Sequence, residues 1–163
     1  MSQTTIRFTE AIDAPFLTKW LEEPATLRWY PMCDLREIDD AVRIWMSYAK
    51  LQAGLTALCD GKPCALATLY IQPFQKLRHT CLFAVIVQKE YRSKGVGKQL
   101  LEELMQLAKS KFHIEVLHLE VYEENPAIRL YERLGFVEFG RQERFIKEEN
   151  GKYLAKIFMQ KEL

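Results

Sequence analysis

The chain has 163 residues with 23 basic and 22 acidic side chains, a formal net charge of +1, which gives no support to nucleic-acid binding, so basic residues matter only where they cluster. Hydrophobic residues make up 48% and charged residues 28%, the balance of a soluble globular protein, and no apolar run approaches the roughly 20 residues that cross a bilayer. The length fits one domain over residues 1–163 with a substantial core. The first fifteen residues lack the apolar stretch of a signal peptide. Cys33, Cys59, Cys64 and Cys81 show no CxxC spacing and are expected to be reduced, mostly buried thiols of a cytoplasmic protein, with no metal bound.

In chain order, Ile6–Thr9 alternates as a first strand. Asp13 is the expected N-cap of a helix over Pro15–Glu23, with Pro15 just inside its start and Pro24 at its end. The aromatic loop Trp29-Tyr30-Pro31-Met32 leads into a second helix, about Leu35–Lys50, with Ile38, Val42, Ile44, Trp45 and Tyr48 on its apolar face and Gly54 as its stop. Two apolar runs, Leu55–Cys59 and Cys64–Ile71, flank Asp60-Gly61 as a hairpin. A basic-polar loop over Pro73–Arg78 precedes a fourth strand, Thr80–Val87.

After that strand comes the turn Tyr91-Arg92-Ser93-Lys94-Gly95-Val96-Gly97-Lys98. A third helix follows, in which Leu100, Leu101, Leu104, Leu107 and Ala108 recur at helical spacing. At a strand–glycine turn–helix junction several unpaired N–H groups point one way, and the helix dipole adds partial positive charge. The glycines leave room, and Arg92, Lys94 and Lys98 add charge, so the turn is an anion site suited to a phosphate or pyrophosphate. Beyond it lie a fifth strand, His113–Val121, and a helix opened by Asn125-Pro126 and closed by Gly135. Ala127, Leu130, Tyr131 and Leu134 share one face of that helix. Phe136–Gly140 and Tyr153–Met159 are two closing strands, joined across Asn150-Gly151.

Spacing separates the phosphate-binding turns. A P-loop needs glycine where this chain has Arg92 and Ser or Thr where it has Gln99. A dinucleotide fingerprint needs glycine or alanine where Leu100 stands. What remains, Arg92-x-x-Gly95-x-Gly97, resembles the (Arg/Gln)-x-x-Gly-x-(Gly/Ala) pyrophosphate loop of the GNAT acyltransferase superfamily. A second segment, Asn125-Pro126-x-Ile128-x-Leu130-Tyr131-x-x-Leu134-Gly135-Phe136, resembles that family's other conserved stretch and begins 28 residues after Gly97. Lys89 departs from the proline that many members carry at the end of the fourth strand. The order of elements is similar to the GNAT fold over essentially the whole chain. The expected class is therefore α/β, with a mixed, mostly antiparallel central sheet and helices on both faces.

The resemblance implies an acetyl-CoA-dependent N-acetyltransferase acting on a primary amine of a small molecule or amino acid by direct attack. Acetyl-CoA is then a cosubstrate. The cofactor-binding loop would be Arg92, Ser93, Lys94, Gly95, Val96, Gly97 and Lys98, with the pyrophosphate on the N–H groups of Lys94 to Lys98. The pantetheine arm would pair with backbone at Val85 and Val87, where the fourth and fifth strands are expected to splay apart. A backbone N–H near Val85 would serve the oxyanion, and Tyr131 stands where the family places the acid for the departing thiolate. A tyrosine packed at helical spacing would look the same. Asn125 carries two compatible roles, N-cap and contact to the CoA arm.

The general base is less determined. Glu120 lies near the expected splay, though alternation with Leu119 and Val121 equally suits a solvated face; His79 and His118 are further candidates. Glu123 and Glu124 precede a helix, where dipole complementarity accounts for them. Trp29, Tyr30, Met32, Asp34 and Glu37 hold the region that shapes the acceptor site in this family. The charged run Arg141–Lys152 either borders that cleft or forms a solvated hairpin. The alternatives are a protein or peptide acceptor, through an N-terminus or lysine, and a non-catalytic acyl-CoA-binding module. Near-neutral charge disfavours the first; the intact loop and Tyr131 disfavour the second. No metal, nucleic acid or membrane partner is expected, and the resemblance implies a homodimer.

Overall fold

A computed structural model describes residues 3–163. Its centre is one seven-stranded sheet in the order β1-β2-β3-β4-β5-β7-β6. The strands are β1 (Thr4–Phe8), β2 (Gly54–Cys59), β3 (Lys62–Tyr70), β4 (Thr80–Val87), β5 (Val116–Tyr122), β6 (Val137–Lys147) and β7 (Tyr153–Glu162). Every neighbouring pair is antiparallel except β4 and β5. Among the described residues the α-helices are α1 (Ala14–Glu22), α2 (Pro24–Leu27), α3 (Leu35–Ser47), α4 (Val96–Ser110) and α5 (Ala127–Arg133), beside short 3-10 turns. Among the described residues no helix is long and apolar enough to cross a membrane.

The sheet is covered on both faces, which is why the central strands β2 and β3 are buried almost end to end. On one face α4 buries Val96, Leu100, Leu101, Leu104 and Ala108 against Ala57, Ala65, Ala67 and Leu69 of the sheet, and Tyr131 and Leu134 of α5 join the same core. On the other face Leu17, Trp20 and Leu21 of α1 and Ile38, Val42 and Trp45 of α3 enclose Leu66 and Ile86. The hairpin at Asp60-Gly61 has positive φ at both residues, the backbone of a two-residue turn matched to the strand twist.

Four sequence expectations change. Asp13 ends a 3-10 turn in helical backbone instead of capping α1. Its fully buried carboxylate accepts from Arg7 at 2.8 Å through both oxygens, from the Glu10 N–H at 2.9 Å and from Thr56 at 2.9 Å. A buried carboxylate with that many donors serves tertiary structure more than a helix end. Ile44 leaves the predicted apolar face of α3 and is exposed, because the stripe that meets the core there is Ile38, Val42 and Trp45. The left-handed residue that ends this segment is Gln52, at φ 53°, and Gly54 already belongs to β2. β6 runs on to Lys147, so most of the charged segment is strand; its register against β7 shifts twice, between Glu138 and Gly140 and between Gln142 and Ile146.

Candidate active site

β4 and β5 pair only over Thr80–Leu82 with Val116–His118, although both strands continue. Beyond Leu82 they separate, and the gap opens a cleft of about 860 Å³. The sheet register aims the backbone of β4 into it. Gln88 N–H bonds Cys64 O at 2.9 Å, and bonded and non-bonded pairs alternate along an antiparallel ladder. Val85 and Val87, opposite Ala67 and Ala65, therefore turn their N–H and C=O groups away from β3 and toward the gap. Two side chains already use these carbonyls: the Tyr30 hydroxyl donates to Val85 O at 2.9 Å, and Arg92 Nε donates to Val87 O at 2.9 Å.

One end of the cleft is the loop before α4. Gly95 has φ +84°, and a Cβ there would meet nothing within 4 Å, so the backbone is open to a ligand where the conformation also favours glycine. The Gln99 N–H bonds Gly95 O at 3.0 Å, which leaves the N–H groups of Val96, Gly97 and Lys98 as the unpaired donors of the first turn. A fifteen-residue helix stands behind them and adds its dipole. Gly97 is glycine for another reason: a Cβ would lie 3.3 Å from Leu130 Cδ2 and 3.4 Å from Val87 Cγ2. It lets α4 pack closely on α5 and β4.

The basic residues of this loop divide their work. Arg92 is tied down, with Nη2 donating to Thr26 at 2.8 Å in addition to its bond to Val87; it staples the exit of β4 to α2. Lys94 lies over the Tyr91 ring at 5.7 Å and Val96 is buried in the core, so neither side chain faces the cleft. Ser93, Gly95, Gly97 and Lys98 do line it, joined by Arg133 of α5. Asn125 Oδ1 accepts from the Ala127 N–H at 2.9 Å, the bond of an N-cap to the second residue beyond it, and Asn125 also borders the cleft.

At the middle of the cleft Tyr131 packs edge-on against Phe83 and Phe136, with centroids 6.2 Å away in both cases. Its ring is buried and burial alone pushes its phenol up from the ordinary tyrosine value, with no hydrogen bond contributing. A phenol in that setting is a proton donor throughout the neutral range. Tyr30 is likewise pushed up, first by burial and then by the neighbouring Tyr131 and Tyr70, and burial raises Tyr70 to about 12.

The far end holds Glu120, exposed on β5, with its Oε2 2.8 Å from Lys156 Nζ of β7. Glu120, Tyr122, Lys156 and Phe158 share one sheet face, because Glu120 opposes Phe158 and Tyr122 opposes Lys156 in register. Leu119, Val121, Ile157 and Met159 point the other way, into the core beside Tyr131. Tyr131 and Glu120 thus reach the gap from opposite faces of the sheet.

Trp29 and Tyr30 line the cleft, whereas Met32, Asp34, Glu37, His79 and His118 lie outside its lining. Asp34 instead caps α3 by accepting from Glu37 N–H at 2.8 Å, and Glu37 accepts from Cys33 N–H at 2.6 Å. His118 is half-buried in the sheet and burial lowers its pKa from the ordinary value. Glu123 and Glu124 are held by named partners. Glu123 accepts from Ala155 N–H at 2.7 Å and from Arg141, and Glu124 pairs with Lys152 and Arg28. Of the run Arg141–Lys152, Phe145 reaches the cleft. Sequence reasoning missed Phe145, Tyr70, Tyr122, Arg133 and Lys156. Alternation along the last hairpin would have placed Lys156 on a face with its neighbours, but only the register against β5 shows that this face is the cleft.

A sequence model of the acetyltransferase (GNAT) family matches residues 10–136. The chain is 26% identical over 106 residues to an L-amino acid N-acetyltransferase of Escherichia coli, a stretch covering 64% of this chain and 65% of that protein. It is 36% identical over 91 residues to an L-methionine sulfoximine/L-methionine sulfone acetyltransferase of Pseudomonas aeruginosa, covering 55% of this chain and 51% of the relative. These matches thus span between half and two thirds of each relative's length. In three dimensions it superposes on a putative acetyltransferase from Salmonella typhimurium, solved with acetyl-CoA, at a TM-score of 0.82 and 25% identity, covering 98% of this chain and 94% of the other.

Proposed function

The chain belongs to the acetyltransferase (GNAT) family, and we propose that it transfers the acetyl group of acetyl-CoA to a primary amine of a small molecule or amino acid. The observation that carries this reading is the gap between β4 and β5, with helix-start N–H groups at one end and the Tyr131 hydroxyl at its centre, both without a hydrogen-bond partner among the described residues. Support for acetyl-CoA comes from the Salmonella structure that contains it, and support for an amino-acid acceptor from the two curated relatives.

In this mechanism the pyrophosphate lies against the N–H groups of Val96, Gly97 and Lys98. The pantetheine arm runs along β4 and competes with Tyr30 and Arg92 for the Val85 and Val87 carbonyls. The acceptor ammonium first gives up one proton to solvent, its nitrogen then attacks the thioester carbon with the freed lone pair, and the carbonyl π electrons move to oxygen. The Val85 N–H, which faces the gap, is the donor for that oxyanion. Collapse restores the C=O bond and breaks the C–S bond. The proton lost by the amine passes to Glu120, directly or through a water, and the departing sulfur takes a proton from Tyr131, which regains one from solvent. Because Glu120 and Tyr131 approach from opposite faces of the sheet, the amine enters on one side and the thiol leaves on the other.

The four cysteines are free thiols, in keeping with a reducing, cytoplasmic setting as part of the proposal. The experiment is a turnover screen with acetyl-CoA, read by release of free thiol, across amines, amino acids and peptides. Thiol release that depends on an added amine and yields its N-acetyl product supports the reading; binding of acetyl-CoA with no acceptor-dependent release across the panel refutes catalysis.

A further inference from the structure

Of the charged side chains lining the cleft, Arg92, Lys98 and Arg133 stand at the loop end, and Glu120 and Lys156 are the pair left for the acceptor end. We propose that this pair is a subsite for the zwitterionic head of an α-amino acid. Lys156 binds the acceptor's carboxylate and Glu120 takes its amine. The inference rests on the acetyl-transfer reading and deepens it, since it names both the substrate class and the residue that selects it.

The geometry matches the charge pattern of that class. An α-amino acid carries ammonium and carboxylate on one carbon, so the groups that recognise them must stand side by side. Glu120 Oε2 and Lys156 Nζ are 2.8 Å apart. An ammonium has three donors and a carboxylate two acceptor oxygens, so Lys156 can take a second carboxylate beside Glu120, and Glu120 keeps Oε1 for the amine. The Lys156 side chain is only 15% exposed, and its ammonium sits 4.0 Å from the Phe145 ring centroid. A cation held in place and largely stripped of water binds a carboxylate far better than one on the open surface. Tyr122, at 6.1 Å from Phe145, extends the aromatic wall on which an apolar or aromatic acceptor side chain would rest.

The same end of the cleft is unsuited to a polyamine or a basic peptide. Either would need several carboxylates facing the cleft, and among the described residues Glu120 is the one acidic side chain in its lining. Lys156 itself would repel a second ammonium.

The test measures kcat/KM for L-phenylalanine and L-methionine beside the amines that lack only the carboxylate, phenethylamine and 3-(methylthio)propylamine. The wild-type enzyme is expected to prefer each amino acid to its amine. In Lys156→Met the ratio of amino acid to amine falls by about tenfold or more, the effect of one lost charge-assisted hydrogen bond. The loss appears chiefly in KM for the amino acid, and Lys156→Arg recovers part of the ratio. A thermal shift with acetyl-CoA, retained in both variants, shows that each is folded. A wild-type enzyme that acetylates the amines as well as the amino acids overturns the subsite. So does a Lys156→Met enzyme that loses both substrates in proportion, because Lys156 would then act only by positioning Glu120. If all twenty amino acids fail as acceptors while acetyl-CoA still raises the melting temperature, the subsite falls and the cosubstrate assignment stands. Absence of the acetyl-CoA shift in the wild type brings down both.

Discussion

The Tyr30 hydroxyl donates to the Val85 carbonyl at 2.9 Å, so a phenol from the loop after α2 occupies a backbone acceptor that faces the gap between β4 and β5. An extended ligand that pairs with β4 must share or displace that bond. Tyr30→Phe should therefore lower the melting temperature of the free protein, by the few degrees that correspond to about 1 kcal/mol. It should also enlarge the upward shift produced by saturating acetyl-CoA, because the ligand then satisfies a carbonyl that is otherwise unpartnered. Differential scanning fluorimetry with and without acetyl-CoA measures both. A ligand-induced shift equal to or smaller than that of the wild type would mean that the ligand does not use the Val85 carbonyl.

The two loop glycines call for different experiments. At Gly97 any side chain meets Leu130 and Val87, so a failure to bind acetyl-CoA there could come from packing. At Gly95 a Cβ meets nothing within 4 Å, but φ is +84°, and the strain of an L-residue in that region is about 1–2 kcal/mol. Gly95→Glu should thus stay folded at a modestly reduced melting temperature and lose the acetyl-CoA shift, since a carboxylate would stand at the mouth of the first helical turn. Gly95→Ala provides the strain control. A folded Gly95→Glu protein with an undiminished shift would refute the pyrophosphate assignment.

Much of this arrangement is legible in the sequence where the cause is local. The strand Thr80–Val87 is delimited by its apolar run, and the glycine turn and α4 follow from φ requirements and helical spacing within a few residues. Asn125 is legible as a cap because its partner, Ala127, lies two positions on. What escapes is set by register and long-range pairing. Asp13 has the composition and position of an N-cap, yet its partners include Thr56, 43 residues away. Arg92 reads as a free loop cation, but Thr26 holds it from 66 residues away. Lys156 and Phe145 depend on the β5–β7 register and on two shifts between β6 and β7, which interrupt the alternation that would reveal a cleft-facing row.

The Arg7–Asp13 pair makes stability depend on pH. Burial by itself would push the Asp13 carboxyl up, but hydrogen bonds from Arg7, the Glu10 N–H and Thr56 outweigh it and hold the group below the ordinary carboxylate range. The folded protein thus binds this proton less readily than the unfolded chain does. The contribution is fully present above the unfolded value near 4 and disappears as pH falls through the depressed folded value. Asp13→Asn should lose about 2–4 kcal/mol at pH 7, toward the lower figure because Arg7 keeps access to solvent. Urea unfolding at pH 7 and near pH 3 should show the gap between wild type and variant narrowing at acid pH. A gap that stays constant would assign the effect to side-chain shape and not to charge.

Asn125 combines two effects that kinetics can separate. Its Oδ1 accepts from Ala127 N–H at the start of α5, a helix of only seven residues, so one cap is a large share of its local stability. Asn125→Ala should lower stability by about 1 kcal/mol and should also raise KM for acetyl-CoA, because the residue borders the cleft. Asn125→Asp keeps the cap acceptor and removes the amide donor. If both variants leave KM at the wild-type value, Asn125 is a cap alone.

Tyr131 offers the sharpest test of the chemistry. Its ring packs against Phe83 and Phe136, and a phenylalanine would keep those contacts. The hydroxyl, in contrast, has no hydrogen-bond partner among the described residues, so a purely structural role predicts almost no change in stability or rate. If the hydroxyl protonates the departing CoA sulfur, its absence acts on the transition state and little on the ground state. Tyr131→Phe should then lower the rate of the chemical step by about 10²–10⁴ with acetyl-CoA affinity nearly unchanged. The lower part of that range is the more reasonable, since a thiolate leaves without help more readily than an alkoxide. Burial raises the phenol's pKa, which keeps it protonated, so the wild-type rate should show no alkaline fall from this group up to about pH 10, the value of an unperturbed tyrosine. Single-turnover measurements with preloaded acetyl-CoA remove any masking by slow product release. A Tyr131→Phe enzyme within about threefold of the wild type under those conditions, well short of the range for a lost general acid, would end the general-acid assignment while leaving the cosubstrate site as it stands.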